Sequence, residues 1–275
     1  MSVITESRFA WEPITPRGVA AFARASLERL IVVQSVLAFI ATAAVVWLLS
    51  SGFFPTIDAA IRALPATGDI SRGKLSWTDE SPKILAEGHF LSFSVDTKHT
   101  RQLRLPAQFQ FEFGEDSLVV ISLLGEMELP YPSDQSFYFN RTDLQPAWGA
   151  WSPNLLGLAA LGTFFGLLLT WALLATVYFL PVCLVAFYTD RDLNFRASWK
   201  LAGAALMPGA LLLTLGIVLY GFGVFDLVQL GFAFTMHFII GWIYLLISPL
   251  FLNRALPGEK KNPFGGKIKS DAAKN

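Results

Sequence analysis

Residues 156–189 read LGLAALGTFFGLLLTWALLATVYFLPVCLVAFYT, with no Asp, Glu, Lys, Arg or His from Leu156 to Thr189. A helix rises about 1.5 Å per residue, so this run exceeds what one passage through a hydrocarbon core about 30 Å thick requires. Whether it crosses once or twice decides which side every later loop faces.

The surrounding composition makes a membrane the relevant solvent. Of 275 residues, 53% are hydrophobic and 15% charged, fewer charges than a water-facing surface of this size needs. Besides the quoted run, uncharged segments extend over Leu30–Phe54, Leu201–Phe225 and Leu227–Asn253. Each is long enough to span. The opening MSVITESRFAWEPITPRG is mixed and polar, unlike a cleavable signal peptide, so the first span reads as an uncleaved anchor. Cys183 is the single cysteine, which rules out a disulfide within the chain and a cysteine-built zinc site.

Basic residues near membrane ends are retained in the cytoplasm. Arg8, Arg17, Arg24 and Arg29 precede the first apolar segment, and Arg191, Arg196 and Lys200 follow the quoted run. Arg254, Lys260, Lys261, Lys267, Lys269 and Lys274 follow the last segment. These three groups share one side only if the quoted run crosses once. A double crossing would also need a tight turn, and no Asn-Gly or Gly-Pro pair supplies it. Pro181 reads as a kink, because its missing N–H and its ring disturb a single helical turn.

The resulting fold class is an integral membrane α-helical protein with four transmembrane helices. A small extracytoplasmic antiparallel β (α+β) domain is inserted between helices 1 and 2. The expected boundaries begin with a cytoplasmic segment 1–29 carrying an amphipathic helix after Thr15-Pro16, then helix 1 at 30–54 and the β domain at 55–153. Helix 2 follows at 154–188, a cytoplasmic loop at 189–200, helix 3 at 201–225, helix 4 at 226–253, and a basic disordered cytoplasmic tail at 254–275. The loop over residues 51–153 holds eight basic and thirteen acidic residues, the balance expected of an outer segment.

Within that loop, Pro55, Ile57, Ile61 and Leu64 predict a short amphipathic helix closed by Pro65 and Gly68. The period then changes to two. Leu91, Phe93 and Val95 alternate with serines, and Phe109, Phe111 and Phe113 alternate with Gln110 and Glu112. With DISRGKLSW, EMELPY and SFYFN, five or six short strands are expected, forming one sheet with one apolar face.

Candidate functional groups are sparse. His237 is the only histidine in a span, and an ionisable side chain at membrane depth marks a functional position unless a neighbouring helix satisfies it. Gln34 is a second polar position, with Thr170, Thr176, Thr214 and Thr235. Gly162 and Gly166 form a GxxxG spacing that suits close helix packing. Asp192 and Asn194, in YTDRDLNFR, form either a polar cluster at the inner interface or a charged turn with a helix cap. Asp79, Glu80, Glu87, Asp96, Glu115 and Asp116 read as solvated turns, and His89 and His99 lack a serine or carboxylate partner for a triad. Asn140-Arg141-Thr142 matches a glycosylation sequon. No catalytic, metal or cofactor site and no nucleic-acid interface is expected, and the sequence leaves the oligomeric state open.

The layout resembles an uncharacterised bacterial family of polytopic membrane proteins, some labelled maltodextrin-utilisation accessory proteins. The resemblance lies in one span, an outer strand-rich insert with GKLSW (Gly73–Trp77) and FSVDT (Phe93–Thr97), and then several spans. It implies a bacterial inner membrane location with both termini cytoplasmic, and no site residues. The function expected is a non-enzymatic accessory, scaffold or sensor that presents its outer domain to a protein partner in the membrane or envelope. The alternatives are a transport component using His237 and Gln34, and a membrane-embedded enzyme.

Overall fold

A computed structural model describes residues 12–98 and 104–254. His99, Arg101 and the tail beyond Arg254, including Lys260 to Lys274, lie outside the described residues. Four helices are long and apolar enough to cross a membrane. The protein is a membrane protein by this measure, with a strand-rich segment lying in the chain between its first and second long helices.

The helical elements open with α1 (Pro16–Ala21) and α2 (Leu27–Leu48). A π turn, Leu49–Phe53, joins α2 to α3 (Phe54–Arg62). After the strands come α4 (Arg141–Tyr188), α5 (Phe195–Ala205), α6 (Met207–Gly221) and α7 (Leu227–Ile247), closed by a single 3₁₀ turn at Ser248–Phe251. The quoted run is one unbroken helix. At 48 residues, α4 is about 72 Å long, so its N-terminal turns extend well past any hydrocarbon core.

Helix 1 differs from expectation. The short amphipathic helix after Pro55 is not separate: α3 continues α2 through the π turn. Proline at position 55 has no N–H and its ring crowds the carbonyl one turn back. Widening that turn, with the Phe54 N–H bonded to the Leu49 carbonyl, keeps the chain helical past it. Ser50 and Ser51 both donate their hydroxyls to the Trp47 carbonyl, at 3.1 and 2.6 Å. The third long helix departs in the opposite sense. It is interrupted at Leu206, two residues before Pro208, which cannot donate to the ladder.

The chain divides into two compact units. One comprises residues up to Ala41, Phe164–Thr214 and from Ala233 onward. Its core gathers Leu30, Val33, Ala175, Val182, Leu201, Met207 and Leu245 with Val19 and Phe22 of α1. Val19 and Phe22 are fully buried, each contributing about 1.5–3 kcal/mol. The apolar side of α1 is therefore taken up by protein.

The other unit comprises Thr42–Thr163 and Leu215–Phe232. Among the described residues it holds eight strands, β1 (Asp69–Ser71), β2 (Lys74–Ser76), β3 (Lys83–Glu87), β4 (Leu91–Val95), β5 (Phe109–Phe113), β6 (Ser117–Ser122), β7 (Gly125–Pro130) and β8 (Phe137–Tyr138). They form two sheets rather than one, ordered β2-β1-β8 and β3-β4-β5-β6-β7. The β1–β2 hairpin turns on Arg72-Gly73, both at positive φ, the arrangement a two-residue primed turn demands. The expected antiparallel pairing fails at one place: β4 and β5 run parallel, Leu91 opposite Phe109 through Val95 opposite Phe113.

Two apolar clusters hold this unit. Val95, Leu85 and Ala86 of the larger sheet meet Ile70, Leu75 and Phe139 of the smaller one and Ala60 and Leu64 at the α3 end. At the opposite end of the strands, Phe90 and Leu91 pack with Tyr220 and with Leu48, Phe53, Phe225 and Leu227.

Candidate functional site

The polar positions of the helices are used for packing. Gln34, on α2, is buried and its Nε2 donates to the Gly203 carbonyl at 3.3 Å. Gly203 is the contact point of three helices: a Cβ there would lie 3.3 Å from Gln34 Nε2, 3.6 Å from Ala175 and 3.7 Å from Leu30. Glycine frees the carbonyl to receive the amide, and the bond answers a polar group that lipid could not. His237 is half-buried, and its Nδ1 bonds the Phe234 carbonyl of its own helix. Its backbone carbonyl faces Gly209 of α6 so closely that no side chain fits there. Among the described residues no hydrogen bond joins Gln34 to His237.

Asn194 is the N-cap of α5, its Oδ1 accepting from the Ala197 N–H at 2.9 Å. Asp192 contributes its backbone, the N–H reaching the Asn253 carbonyl at 3.3 Å. Arg191 donates to the Leu252 carbonyl and pairs through an isolated bridge with Arg254, while Lys200 donates to the Ala25 carbonyl. Within this unit the basic residues tie chain ends to one another. Ser198 relays a further link, accepting from Cys183 Sγ at 3.1 Å and donating to the Asn194 carbonyl at 3.0 Å.

Gly162 and Gly166 do not pack as the GxxxG spacing anticipates. A Cβ on either would have no neighbour within 4 Å. The surrounding positions Leu158, Leu161, Phe165 and Leu169 are all about three-fifths exposed or more, the pattern of a helix surface left to lipid.

In the strand unit the most informative feature is a buried polar layer. Ser92, Ser94 and Asp96 of the β4 strand and its end are fully inaccessible, and Gln108, Gln110, Glu112 and Ser117 nearly so. The reading of Asp96 as a solvated turn is therefore corrected. β4 and β5 are a parallel pair, with Ser92 opposite Gln110 and Ser94 opposite Glu112. Parallel neighbours require a crossover that passes over one face of the sheet. Here the returning chain bonds that face, with the Leu105 N–H donating to Gln110 Oε1 at 3.1 Å. Period-two alternation in β4 and β5 cannot distinguish a polar face in water from one beneath a crossover. Among the described residues the hydroxyls of Ser92 and Ser94 find no hydrogen-bond partner.

The turns of the strand unit carry ordinary ion pairs. Lys74 Nζ meets Glu115 Oε1 at 2.8 Å, and this bond, with the charge of Asp116, raises the lysine above its usual value. Tyr131, whose hydroxyl donates to the Gly114 carbonyl at 3.3 Å, is pushed up by burial and then by Asp116. Lys83 pairs with Asp79 at 2.7 Å. His89 approaches Gln108 Nε2 at 3.4 Å, and no group of three metal-ligating side chains is found among the described residues. The sequon asparagine is occupied. Asn140 is buried, its Nδ2 donates to the Gly68 carbonyl and to Asp143 Oδ2 at 3.0 Å, and its Oδ1 caps α4 through the Asp143 N–H.

No family model matches the chain, and comparisons with curated proteins and with solved structures also find no match.

Proposed function

We propose that this membrane protein is a non-enzymatic accessory, scaffold or sensor that displays its strand domain on the outer face to a protein partner in the envelope. What carries the reading is the way the strands are attached. The Phe139 N–H bonds the Gly68 carbonyl at 3.1 Å, so the chain leaves and re-enters the helical frame at one point. The strands between have their own core. Such an insertion is a module carried by the frame. Use of Gln34, Asn194 and Lys200 in internal bonds gives further support, since Gln34 and Lys200 tie separate segments together and Asn194 caps its own helix.

Sidedness rests on charge. The basic clusters flanking the spans support cytoplasmic termini and an outer position for the acidic strand segment. The resemblance of layout supports a bacterial inner membrane.

A photo-crosslinking amino acid placed at Tyr138, an exposed residue of β8, tests the display of the domain. In intact cells it should yield one defined protein adduct that is missing when the same group replaces Phe165 on the lipid-facing side of α4. Excising residues 69–138 should abolish the corresponding co-purification while leaving membrane insertion unchanged. Equal co-purification from the excised protein rejects the proposal.

A further inference from the structure

The two ends of the five-stranded sheet are unlike. At one end Leu91 lies opposite Phe109, Phe109 opposite Ser122, and Ser122 opposite Gly125. This is the end whose Phe90 and Leu91 pack with Tyr220, near the close of α6, and with Leu227 and Leu230 at the start of α7. The Phe90 and Tyr220 rings are 4.9 Å apart, and Phe90 stacks on Phe53 at 5.4 Å. This row of strand ends therefore sits where α6 stops and α7 starts; the end of a spanning helix is where hydrocarbon gives way to headgroups.

The β6–β7 turn, Leu123-Leu124, belongs to that same row. Strands are spaced about 4.8 Å apart, so the turn stands one to two steps to the side of Phe109. Leu124 is 75% exposed, Leu123 57% and Met127 55%. The alternation of β7 continues this arrangement. Met127 is opposite Val120, itself opposite Phe111 of the face that packs on the helix ends. Glu126 and Glu128 fall on the other face, in line with Gln110 and Glu112. An edge strand with exposed apolar groups on its helix-end side and carboxylates on the other matches a water–lipid boundary.

We propose that the β6–β7 hairpin rests on the bilayer surface. Leu123, Leu124 and Met127 enter the interfacial layer beside the ends of α6 and α7, and Glu126 and Glu128 are turned to water. The inference builds on the reading above that the strand domain stands at a membrane surface, and it adds a second attachment of that domain to lipid. The aliphatic composition of the tip and its place beside the helix ends favour lipid over a second copy of the chain.

The test uses the full chain with Cys183→Ser and a single new cysteine, Leu124→Cys or Glu126→Cys. Each variant carries a polarity-sensitive fluorophore and is reconstituted in phosphatidylcholine–phosphatidylglycerol vesicles. The label at residue 124 should emit to the blue of the label at 126. It should lose emission to lipids with a nitroxide high on the acyl chain and resist aqueous iodide, with the reverse at 126. Iodide quenching at both sites overturns the proposal. So does a blue shift at 124 that vanishes when the vesicles are diluted with excess lipid, because a second copy would then be the occupant. Sidedness is read separately, by an impermeant thiol reagent on Ser133→Cys in intact cells. A failure there would count against the outward display alone, leaving the quenching result standing.

Discussion

The backbone of Phe139 is bonded to that of Gly68 at 3.1 Å, although eight strands lie between them among the described residues. A side chain at 68 would lie 2.8 Å from the Phe139 carbonyl oxygen, so the closure requires glycine. Gly68→Ala should destabilise the strand domain by about 1–3 kcal/mol, the range for overpacking a filled site. Limited proteolysis of the detergent-solubilised protein should show earlier cleavage within residues 69–138 and an unchanged helical fragment. Equal protection of that segment would contradict the closure.

Gly209 makes the corresponding contact among the helices. Its Cβ position falls on the carbonyl of His237, which belongs to the backbone and cannot rotate aside. Gly209→Val is expected to lower the midpoint of thermal unfolding in detergent. His237→Ala should have the smaller effect, because its ring bonds only its own helix. A larger loss from the histidine change would reopen a functional role for that side chain.

Loss of the Asn194 cap should be modest. Asn194→Ala removes the acceptor for the Ala197 N–H and is expected to cost about 1 kcal/mol. Asp192→Ala leaves the backbone bond to the Asn253 carbonyl in place and should be close to neutral. Chemical denaturation of the two variants side by side makes the comparison, and equal losses would argue against capping as the role of Asn194.

Gly162→Leu and Gly166→Leu should leave stability and oligomeric state unchanged, since neither glycine has a neighbour within 4 Å of its Cβ position. Analytical ultracentrifugation in detergent is the check. A change in mass on substitution would mean that the GxxxG spacing serves contact between copies.

Alkaline pH should loosen the strand domain first. Tyr131 and Lys74 are both raised in the fold above their ordinary values of 10.0 and 10.5. A raised folded value means full stabilisation below the unfolded value and loss as pH climbs through and beyond it. Stability should therefore begin to fall near pH 10. Tyr131→Phe should flatten that fall, whereas Lys74→Met should change it little because Lys74 is fully exposed to solvent. Near-ultraviolet circular dichroism against pH measures it.

Much of the architecture was legible from local pattern. Uncharged length marked the four long helices, and α4 runs unbroken from Arg141 to Tyr188. Alternation over Phe109–Phe113 marked a strand, and Asn194 was among the residues weighed as a cap. These signals depend on neighbours a few positions away, so they survive without knowledge of the fold.

Tertiary structure decided the rest. Whether Pro55 ends a helix or widens one turn of it depends on what packs around Gly52, where Phe90 lies so close that a Cβ would be 2.8 Å away. The parallel pairing of β4 with β5, and the burial of Asp96 and Glu112, depend on contacts made after folding. The open faces of Gly162 and Gly166 depend on which helix is absent beside them. Sequence period reports which side chains share a face. What covers that face is set by contacts between residues far apart in the chain, and those appear only once it has folded.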